Sequence, residues 1–230
     1  MLLTAQELIE GGLESADMVG SNFITPAGQL RYINQCYGEW YDLILECNQD
    51  DFVKNPPTEF TVSSGAVSYP QPSDFYSAIG LDRKFGGKWI EIRSFEFNRR
   101  NRLKSSWLYT ARTIYPAVRF RVLGQDILFD SQDDAAGDYR IWYTPVPPKA
   151  SLLTDTFFVE ATTHQLYIET LFAIKALDKE ESDSSKFEIK LAKLESKIRA
   201  TKKNRNDGEP EKISNYDRYN DLPNEYDGWF

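Results

Sequence analysis

The chain has 230 residues, of which 41% are hydrophobic and 27% are charged, and a formal net charge of −8. This composition is ordinary for a globular protein that buries a self-sufficient core. No apolar run approaches the ~20 residues that span a bilayer, and the N-terminus lacks the basic flank and apolar stretch of a signal peptide. We therefore expect synthesis in the cytoplasm and no membrane partner.

The N-terminal part predicts two helices. A first helix is expected over residues 3–19, with Thr4 as N-cap and Glu7 three positions later, the spacing of a capping box. Gly11 and Gly12 weaken it. A second helix is expected to begin near Thr25-Pro26, because proline is favoured at the first helical position. Its apolar residues follow three- and four-residue steps and form one stripe: Leu30, Ile33, Tyr37, Trp40, Tyr41 and Ile44.

The two cysteines, Cys36 and Cys47, both fall in this second helix. Their eleven-residue separation corresponds to roughly 16 Å along a helix axis, which is too far for a disulfide bond. The chain has one histidine, so the cysteines also make a poor zinc site. We expect two small core residues and no bound metal.

From residue 58 to residue 145 the apolar pattern has a period of two. Short alternating runs, separated by Gly, Pro, Asn or Asp, predict an antiparallel β unit. Gly124-Gln125 has the position and composition of a hairpin turn.

The helical period then returns over residues 157–180 and again over 184–203. The simplest way to bury four apolar stripes is a single bundle. The predicted fold class is therefore α+β: a four-helix bundle formed by the N- and C-terminal helix pairs, with an inserted antiparallel β domain. The predicted domains are the bundle at 1–57 and 150–205, the insert at 58–149 and an extended C-terminal arm at 206–230.

No residue pattern predicts catalysis. His164, the single histidine, lies in a predicted helix, where such residues are usually exposed or half-buried. The sequence has no nucleophile elbow, phosphate loop or dinucleotide fingerprint. The carboxylate pairs Asp50-Asp51 and Asp133-Asp134 are explained by solvated turns. We expect neither an enzyme nor a cofactor.

The middle of the chain is basic. Residues 83–121 contain eleven Lys or Arg and two Glu. The densest cationic cluster is the segment NRRNRLK, with Arg99, Arg100, Arg102 and Lys104. Guanidinium groups bind phosphates without sequence readout, so nucleic acid is one interpretation. An acidic protein partner, including a neighbouring copy of the chain, and a plain solvated face are the other two.

The last stretch of the chain combines acidic and aromatic residues. Residues 207–230 contain seven acidic and two basic side chains. The segment is too polar to form a core alone, whereas large rings bury ~150–250 Å² each on docking and are favoured interface anchors. We therefore predict a docking arm whose contacts are Tyr216, Tyr219, Tyr226, Trp229 and Phe230. The alternative is a tail that folds back on its own body.

The order of these features resembles the head-to-tail adaptor proteins, also called neck or connector proteins, of tailed bacteriophages. The resemblance extends over roughly residues 4–212. It is carried by the segments LRYINQCYGEWYDLIL, SYPQPSDFYSAIGLD, KWIEIRSFEFNRRNR, AVRFRVLGQDILFD, DYRIWYTPVPP and AIKALDKEESD. The chain departs from the pattern at Gln71, where relatives usually have a leucine, and this departure is expected to weaken one core contact.

The resemblance implies a structural virion protein located in the neck. Such proteins form a homo-oligomeric ring, commonly of twelve copies, between the portal protein and a tail tube or nozzle protein. Genomic DNA passes through the lumen without sequence-specific binding, and an acidic wall favours its sliding. The sequence leaves open whether the arm binds the portal or the tail, and whether the chain is an adaptor or a stopper one layer lower.

An alternative function belongs to another class. A β-rich module on a helical stalk would bind nucleic acid or glycan through Trp89, Trp107 and Tyr109 beside the arginines. Salt-dependent binding of short single-stranded DNA would favour this alternative.

Overall fold

The computed structural model describes residues 1–21, 23–96, 98, 118–130 and 135–205. Within these ranges the chain is a mixed α+β protein with four α-helices and antiparallel sheets. Two helices precede the main run of strands and two follow it. The helices are α1 (Ala5–Ser15), α2 (Pro26–Cys47), α3 (Thr162–Lys179) and α4 (Ser185–Arg205), and a short 3-10 helix, Gln49–Phe52, follows α2.

Both predicted helix starts in the N-terminal part are confirmed. The hydroxyl of Thr4 accepts a hydrogen bond from Glu7 N at 3.1 Å, and the Glu7 carboxylate accepts one from Thr4 N at 2.7 Å. At the second start, the Thr25 hydroxyl accepts from Gly28 N at 3.2 Å, and Pro26 is the first helical residue. These bonds satisfy N–H groups that have no partner within a helix.

The four helices share one apolar core. Five of the six predicted α2 stripe residues are buried, and Leu30 is half-buried. The buried ones are Ile33, Tyr37, Trp40, Tyr41 and Ile44. Helix α3 packs against α1, α2 and α4, and is therefore buried around most of its circumference. The Tyr37 ring stacks on that of Phe157, with centroids 4.3 Å apart. Each large side chain buried in this way stabilises the fold by roughly 1.5–3 kcal/mol.

The strands form three sheets. The strands are β1 (Leu2–Thr4), β2 (Thr58–Val62), β3 (Ser68–Pro70), β4 (Phe75–Phe85), β5 (Lys88–Ile92), β6 (Phe120–Leu123), β7 (Asp126–Phe129), β8 (Gly137–Pro145) and β9 (Thr156–Phe158). A four-stranded sheet has the order β2-β8-β4-β5, a three-stranded sheet has the order β3-β7-β6, and β1 pairs with β9.

The four- and three-stranded sheets share a second apolar core. The Phe60 ring stacks on that of Tyr69 at 4.2 Å and on that of Tyr139 at 5.6 Å, and Tyr139 also contacts Phe129. The predicted hairpin is confirmed: β6 and β7 are joined at Gly124, whose φ of +61° favours glycine.

Two predictions about helix boundaries are wrong. The first helix spans Ala5–Ser15 rather than 3–19, because residues 2–4 pair with β9 as a strand and the helix ends before Asp17, whose φ of +57° is left-handed. For the same reason Phe157 and Phe158 are in a strand, and α3 begins at Thr162 rather than at 157. The longest strand, β4, lies within the predicted β unit, and register shifts between Phe75 and Gly80 interrupt its alternation.

Gln71 has a defined structural role. Its side-chain amide donates to the carbonyl oxygen of Gly124 at 2.9 Å, and its backbone N donates to that of Gln125 at 2.9 Å. Gln71 thereby binds the β6–β7 turn by polar contacts in place of the apolar contact that a leucine would make.

Candidate functional site

The binding residues predicted from the sequence lie outside the described residues. These are Arg99, Arg100 and Arg102 of the cationic cluster, and Tyr216, Tyr219, Tyr226, Trp229 and Phe230 of the arm. Trp107, Tyr109 and the Asp133-Asp134 pair lie outside them as well. The structure does describe the elements that flank these segments.

The described residues on either side of the cationic cluster lie against each other. Phe95 N donates to the carbonyl oxygen of Phe120 at 3.0 Å, and Phe120 N donates to that of Arg93 at 3.2 Å. Ser94 and Phe120 form a parallel bridge at the same place. Residues 93–95 therefore lie beside the start of β6.

A buried ionic cluster fastens α4 to the rest of the helices. The Lys202 ammonium bonds to the carboxylates of Asp51 and Glu160, and the Lys202 side chain is only 3% exposed. Asp51 comes from the 3-10 helix after α2, and Glu160 lies just before α3. One cation thus joins three parts of the chain that are far apart in sequence. The sequence showed Asp51 only as half of a carboxylate pair and gave no signal for Lys202.

His164 is buried, contrary to the expected exposed or half-buried position. Its side chain is 5% exposed, and its ring lies 5.6 Å from that of Trp40. Burial lowers the pKa of His164, although nearby Glu160 opposes the shift. The lowered pKa favours the neutral form of the imidazole, which suits a packed core residue.

A cleft of about 340 Å³ opens beside this cluster. It is lined by Phe158, Glu160, Ala161, His164, Thr201 and Lys202. The Lys202 ammonium is already bonded to two carboxylates, and the Thr201 hydroxyl donates to the carbonyl oxygen of Lys197 at 2.9 Å.

Polar contacts join the helices to the β unit. Lys54 Nζ donates to Asp74 Oδ2 and to the hydroxyl of Tyr143, both at 2.8 Å, and that hydroxyl donates to Asp74 Oδ1 at 2.6 Å. Tyr41 of α2 donates to the carbonyl oxygen of Pro145 at 2.8 Å. The hydrogen bond from Lys54, followed by that from Tyr143, holds the pKa of the Asp74 carboxyl below its usual value. The network fixes the end of β8 against the end of α2.

The outer face of the four-stranded sheet carries aromatic rings covered by cations. The Arg140 guanidinium lies 4.8 Å from the Trp89 ring centroid and 5.3 Å from that of Trp142. Arg140 Nε and Trp142 Nε1 both donate to Asp82 Oδ2, at 2.6 and 3.0 Å. Trp89, named in the alternative function, is therefore already stacked on a cation.

The charge on that face does not favour phosphate binding. Strand register places Glu59, Asp82, Glu91 and Asp138 on the same side as Arg140, and Lys84 is the only other cation there among the described strands. Four carboxylates repel a nucleic-acid backbone.

The cysteines lie in one helix, as predicted. Cys36 is buried, Cys47 is half-buried, and both are free thiols. Burial raises the pKa of the Cys36 thiol, which disfavours the reactive thiolate. Among the described residues, no group of His, Cys, Asp and Glu could hold a metal ion. In the same part of the chain, no helix has the length and apolar character needed to cross a membrane.

Comparison with known proteins gave no family model and no curated sequence that matches the chain. Its function therefore has to be inferred from its residues and their geometry.

Proposed function

We propose that this chain is a structural virion protein: a head-to-tail adaptor of a tailed bacteriophage. It forms a ring, of twelve copies in the usual adaptor arrangement, between the portal and the tail, and the ring leaves a passage for the genome. The order of elements supports this proposal, since two helices, a run of antiparallel strands and two helices follow one another in the chain. The proposal requires no catalytic residue, cofactor or metal.

The finer architecture belongs to the same proposal. The four helices share one apolar core, and strands β2 to β8 share another. We propose a four-helix bundle, residues 1–57 and 150–205, with residues 58–149 as an inserted β domain. The Lys54–Asp74–Tyr143 network would hold the insert at a fixed angle to the bundle, as a ring of identical subunits requires.

The observation that carries the proposal is the contrast between α4 and the residues after it. Helix α4 packs its apolar side chains and buries Ile198 and Lys202 near its C-terminal end. The 25 residues that follow, 206–230, contain three Tyr, one Trp and one Phe among seven acidic side chains. A segment that is acidic and aromatic has the composition of an arm that becomes ordered on a partner.

The negative net charge of the chain supports the proposed passage for DNA. The net charge of −8 keeps DNA phosphates from adhering, so the genome can slide during packaging and ejection. The arm contributes seven acidic and two basic residues to that total. The cationic cluster at Arg99, Arg100 and Arg102 would then contact a neighbouring chain.

Removal of residues 213–230 tests the arm. We expect the truncated chain to fold but to bind portal rings of the same phage at least tenfold more weakly, because it lacks all five aromatic anchors. A second variant keeps the acidic residues and replaces Tyr226, Trp229 and Phe230 with Ser, which separates the contribution of the rings from that of the charge. Equal portal binding by the truncated and full-length chains refutes the arm.

Charge reversal at Arg99 and Arg100 tests the cationic contact. We expect the double Arg→Glu variant to remain a folded monomer with impaired ring formation, because like charges then face each other across the subunit contact. Rings that form as readily as those of the unmodified chain would show that these arginines are merely solvated.

A further inference from the structure

One face of α4 carries four lysines in a single row. Lys186, Lys190, Lys193 and Lys197 are separated by four, three and four residues, which places them on the same side of a helix. All four are exposed. The face that packs on the other helices is a different one, formed by Phe187, Leu191, Leu194 and Ile198. We name the row Lys186, Lys190, Lys193 and Lys197 the lysine stripe.

The charges of α4 are segregated, not interleaved. A solvated helix gains stability when Glu precedes Lys by four residues, at about 0.2–0.5 kcal/mol per pair, and like charges at that spacing cost a similar amount. In the stripe, Lys186 precedes Lys190 and Lys193 precedes Lys197 by four residues. The glutamates of the helix, Glu188 and Glu195, lie seven residues apart on another side, and neither precedes a stripe lysine by three or four residues. The stripe thus lowers the stability of the isolated helix.

The stripe has no ion-pair partner among the described residues. The ion pairs of α4 are made by Lys202 with Asp51 and Glu160, and by Arg199 with Glu46 and Glu195. None of the four stripe lysines has a described carboxylate within ion-pair distance, although the charges of Lys190 and Lys186 act at longer range on the pKa of Glu169 and of Asp183. A row of four ammonium groups that bond to no carboxylate in this part of the chain favours an anionic partner.

We propose that the lysine stripe binds the acidic arm, residues 206–230, of a second copy of this chain. This inference rests on the proposed function and specifies how neighbouring subunits of the ring hold one another. The charges are complementary, because the arm contains seven acidic and two basic side chains. Exposed Ile189, at 61%, and the lysine methylene groups beside it offer apolar surface for the arm's rings.

The lengths also match. The stripe spans eleven residues of helix, roughly 16 Å at 1.5 Å per residue. About five extended residues, at ~3.3 Å each, cover that length. The stretch from Asp217 to Asp221 has this length and a carboxylate at each end. The rest of the arm remains for other contacts.

The proposed ring favours a neighbour's arm over the chain's own. Helix α4 continues for two turns beyond Lys197 and ends at Arg205. The chain's own arm would have to turn back within residues 206–216 to bring Asp217 beside the stripe, whereas a closed ring requires contacts between copies.

Isotope-mixed cross-linking tests the proposal. Equal amounts of unlabelled and ¹⁵N-labelled full-length chain are mixed, coupled with a carbodiimide that joins lysines to carboxylates, and digested for mass spectrometry. We expect stripe lysines to couple to arm residues such as Asp217, Asp221 and Glu225, with mixed-isotope products as abundant as same-isotope ones. The yield should fall as salt rises, because exposed charges are screened.

A matched pair of variants tests the same contact by self-association. One variant changes the four stripe lysines to Gln, and the control changes Lys84, Lys88, Lys149 and Lys179 to Gln, with the same loss of charge. Gln and Lys have similar helix propensities, so α4 should remain folded. In sedimentation velocity we expect at least a tenfold loss of association for the stripe variant and none for the control.

Three outcomes overturn the proposal. Same-isotope cross-links alone would show that the arm lies on its own helix. An absence of stripe–arm cross-links would show a solvated face. Salt-dependent binding of duplex DNA that only the stripe variant loses, without mixed cross-links, would assign the stripe to phosphates.

The portal assay separates this inference from the proposed function. A stripe variant that binds portal rings and assembles normally refutes the stripe contact and leaves the adaptor function standing. A full-length chain that neither binds portal rings nor forms rings refutes the adaptor function.

Discussion

Gly12 of α1 lies directly against Phe172 of α3. A Cβ atom at position 12 would come within 2.8 Å of Cδ1 of Phe172 and within 3.0 Å of the carbonyl oxygen of Glu169. Neither can move freely, because Phe172 is fully buried and the carbonyl belongs to the backbone of α3. The absence of a side chain at Gly12 therefore sets how closely α1 approaches α3.

We expect Gly12→Ala to destabilise the protein, by about 1–3 kcal/mol, because overpacking outweighs the gain in helix propensity. Gly38 in α2 provides the control, since a Cβ atom there would have no neighbour within 4 Å. Gly38→Ala should stabilise the protein by up to ~1 kcal/mol. Urea denaturation of both variants measures the difference. A more stable Gly12→Ala protein would contradict the close approach.

Glu169 predicts a dependence of stability on pH. Burial raises the pKa of this carboxyl, while the hydrogen bond from Gln165 and the charge of Lys190 oppose the shift. A carboxyl with a raised folded-state pKa stabilises the fold at pH values below its ordinary pKa of 4.5 and loses that contribution as pH rises through the raised value.

We therefore expect Glu169→Gln to raise the melting temperature at pH 7, and the gain to shrink as the pH falls toward 4. The amide oxygen still accepts the hydrogen bond from Gln165, so the packing is kept. Exposed Glu188→Gln on α4 serves as the control. A gain at pH 7 that persists unchanged under acid conditions would show that the effect does not come from ionisation of Glu169.

Lys202 is expected to be the most sensitive charged residue among those described. Lys202→Met leaves the carboxylates of Asp51 and Glu160 facing each other without a cation, and losing one partner of a buried ion pair costs about 3–5 kcal/mol. Lys197→Met on the exposed face of the same helix should change stability by less than about 0.5 kcal/mol. Thermal unfolding of the two variants compares them directly. Equal melting temperatures would mean that the ionic cluster does not hold α4 in place.

A substitution at Tyr143 tests the polar network that joins the helices to the β unit. Tyr143→Phe removes the hydroxyl that donates to Asp74 and accepts from Lys54, and we expect a loss of about 1 kcal/mol. Both charged partners are about 40% exposed, so water compensates part of the loss. Tyr76→Phe, which removes an exposed hydrogen bond to Asp42, is the control and should be nearly neutral.

The Lys54–Asp74–Tyr143 network also predicts a dependence of stability on pH, and its sign is opposite to that predicted for Glu169. Lys54 and Tyr143 lower the pKa of Asp74, so the ionised carboxylate stabilises the fold above its ordinary value of 3.8, and this contribution is lost as pH falls through the lowered value. The difference in unfolding free energy between the unmodified protein and Tyr143→Phe should therefore become smaller as the pH falls. If the loss of stability caused by Tyr143→Phe stays constant into strongly acidic conditions, the hydroxyl does not stabilise the protein through the charge of Asp74.

Local sequence patterns predict the order and type of most elements. Thr4 with Glu7 and Thr25 with Pro26 fixed two helix starts, because capping depends on neighbours three residues apart. The period of two located the β unit between residues 58 and 145, and Gly124 located its hairpin. These signals are local, so they are legible without knowing the fold.

Features that depend on residues far apart in the chain follow from the three-dimensional fold and not from local patterns. The pairing of β1 with β9 changed the limits of two predicted helices, and register shifts interrupt the alternation of β4. Gly12 looked like a weakness in α1 until Phe172 was seen against it, and Lys202 looked like one more lysine of α4 until Asp51 and Glu160 surrounded it. Periodicity reports which face of an element is apolar, but the partner of that face is set by chain topology, which no local pattern records.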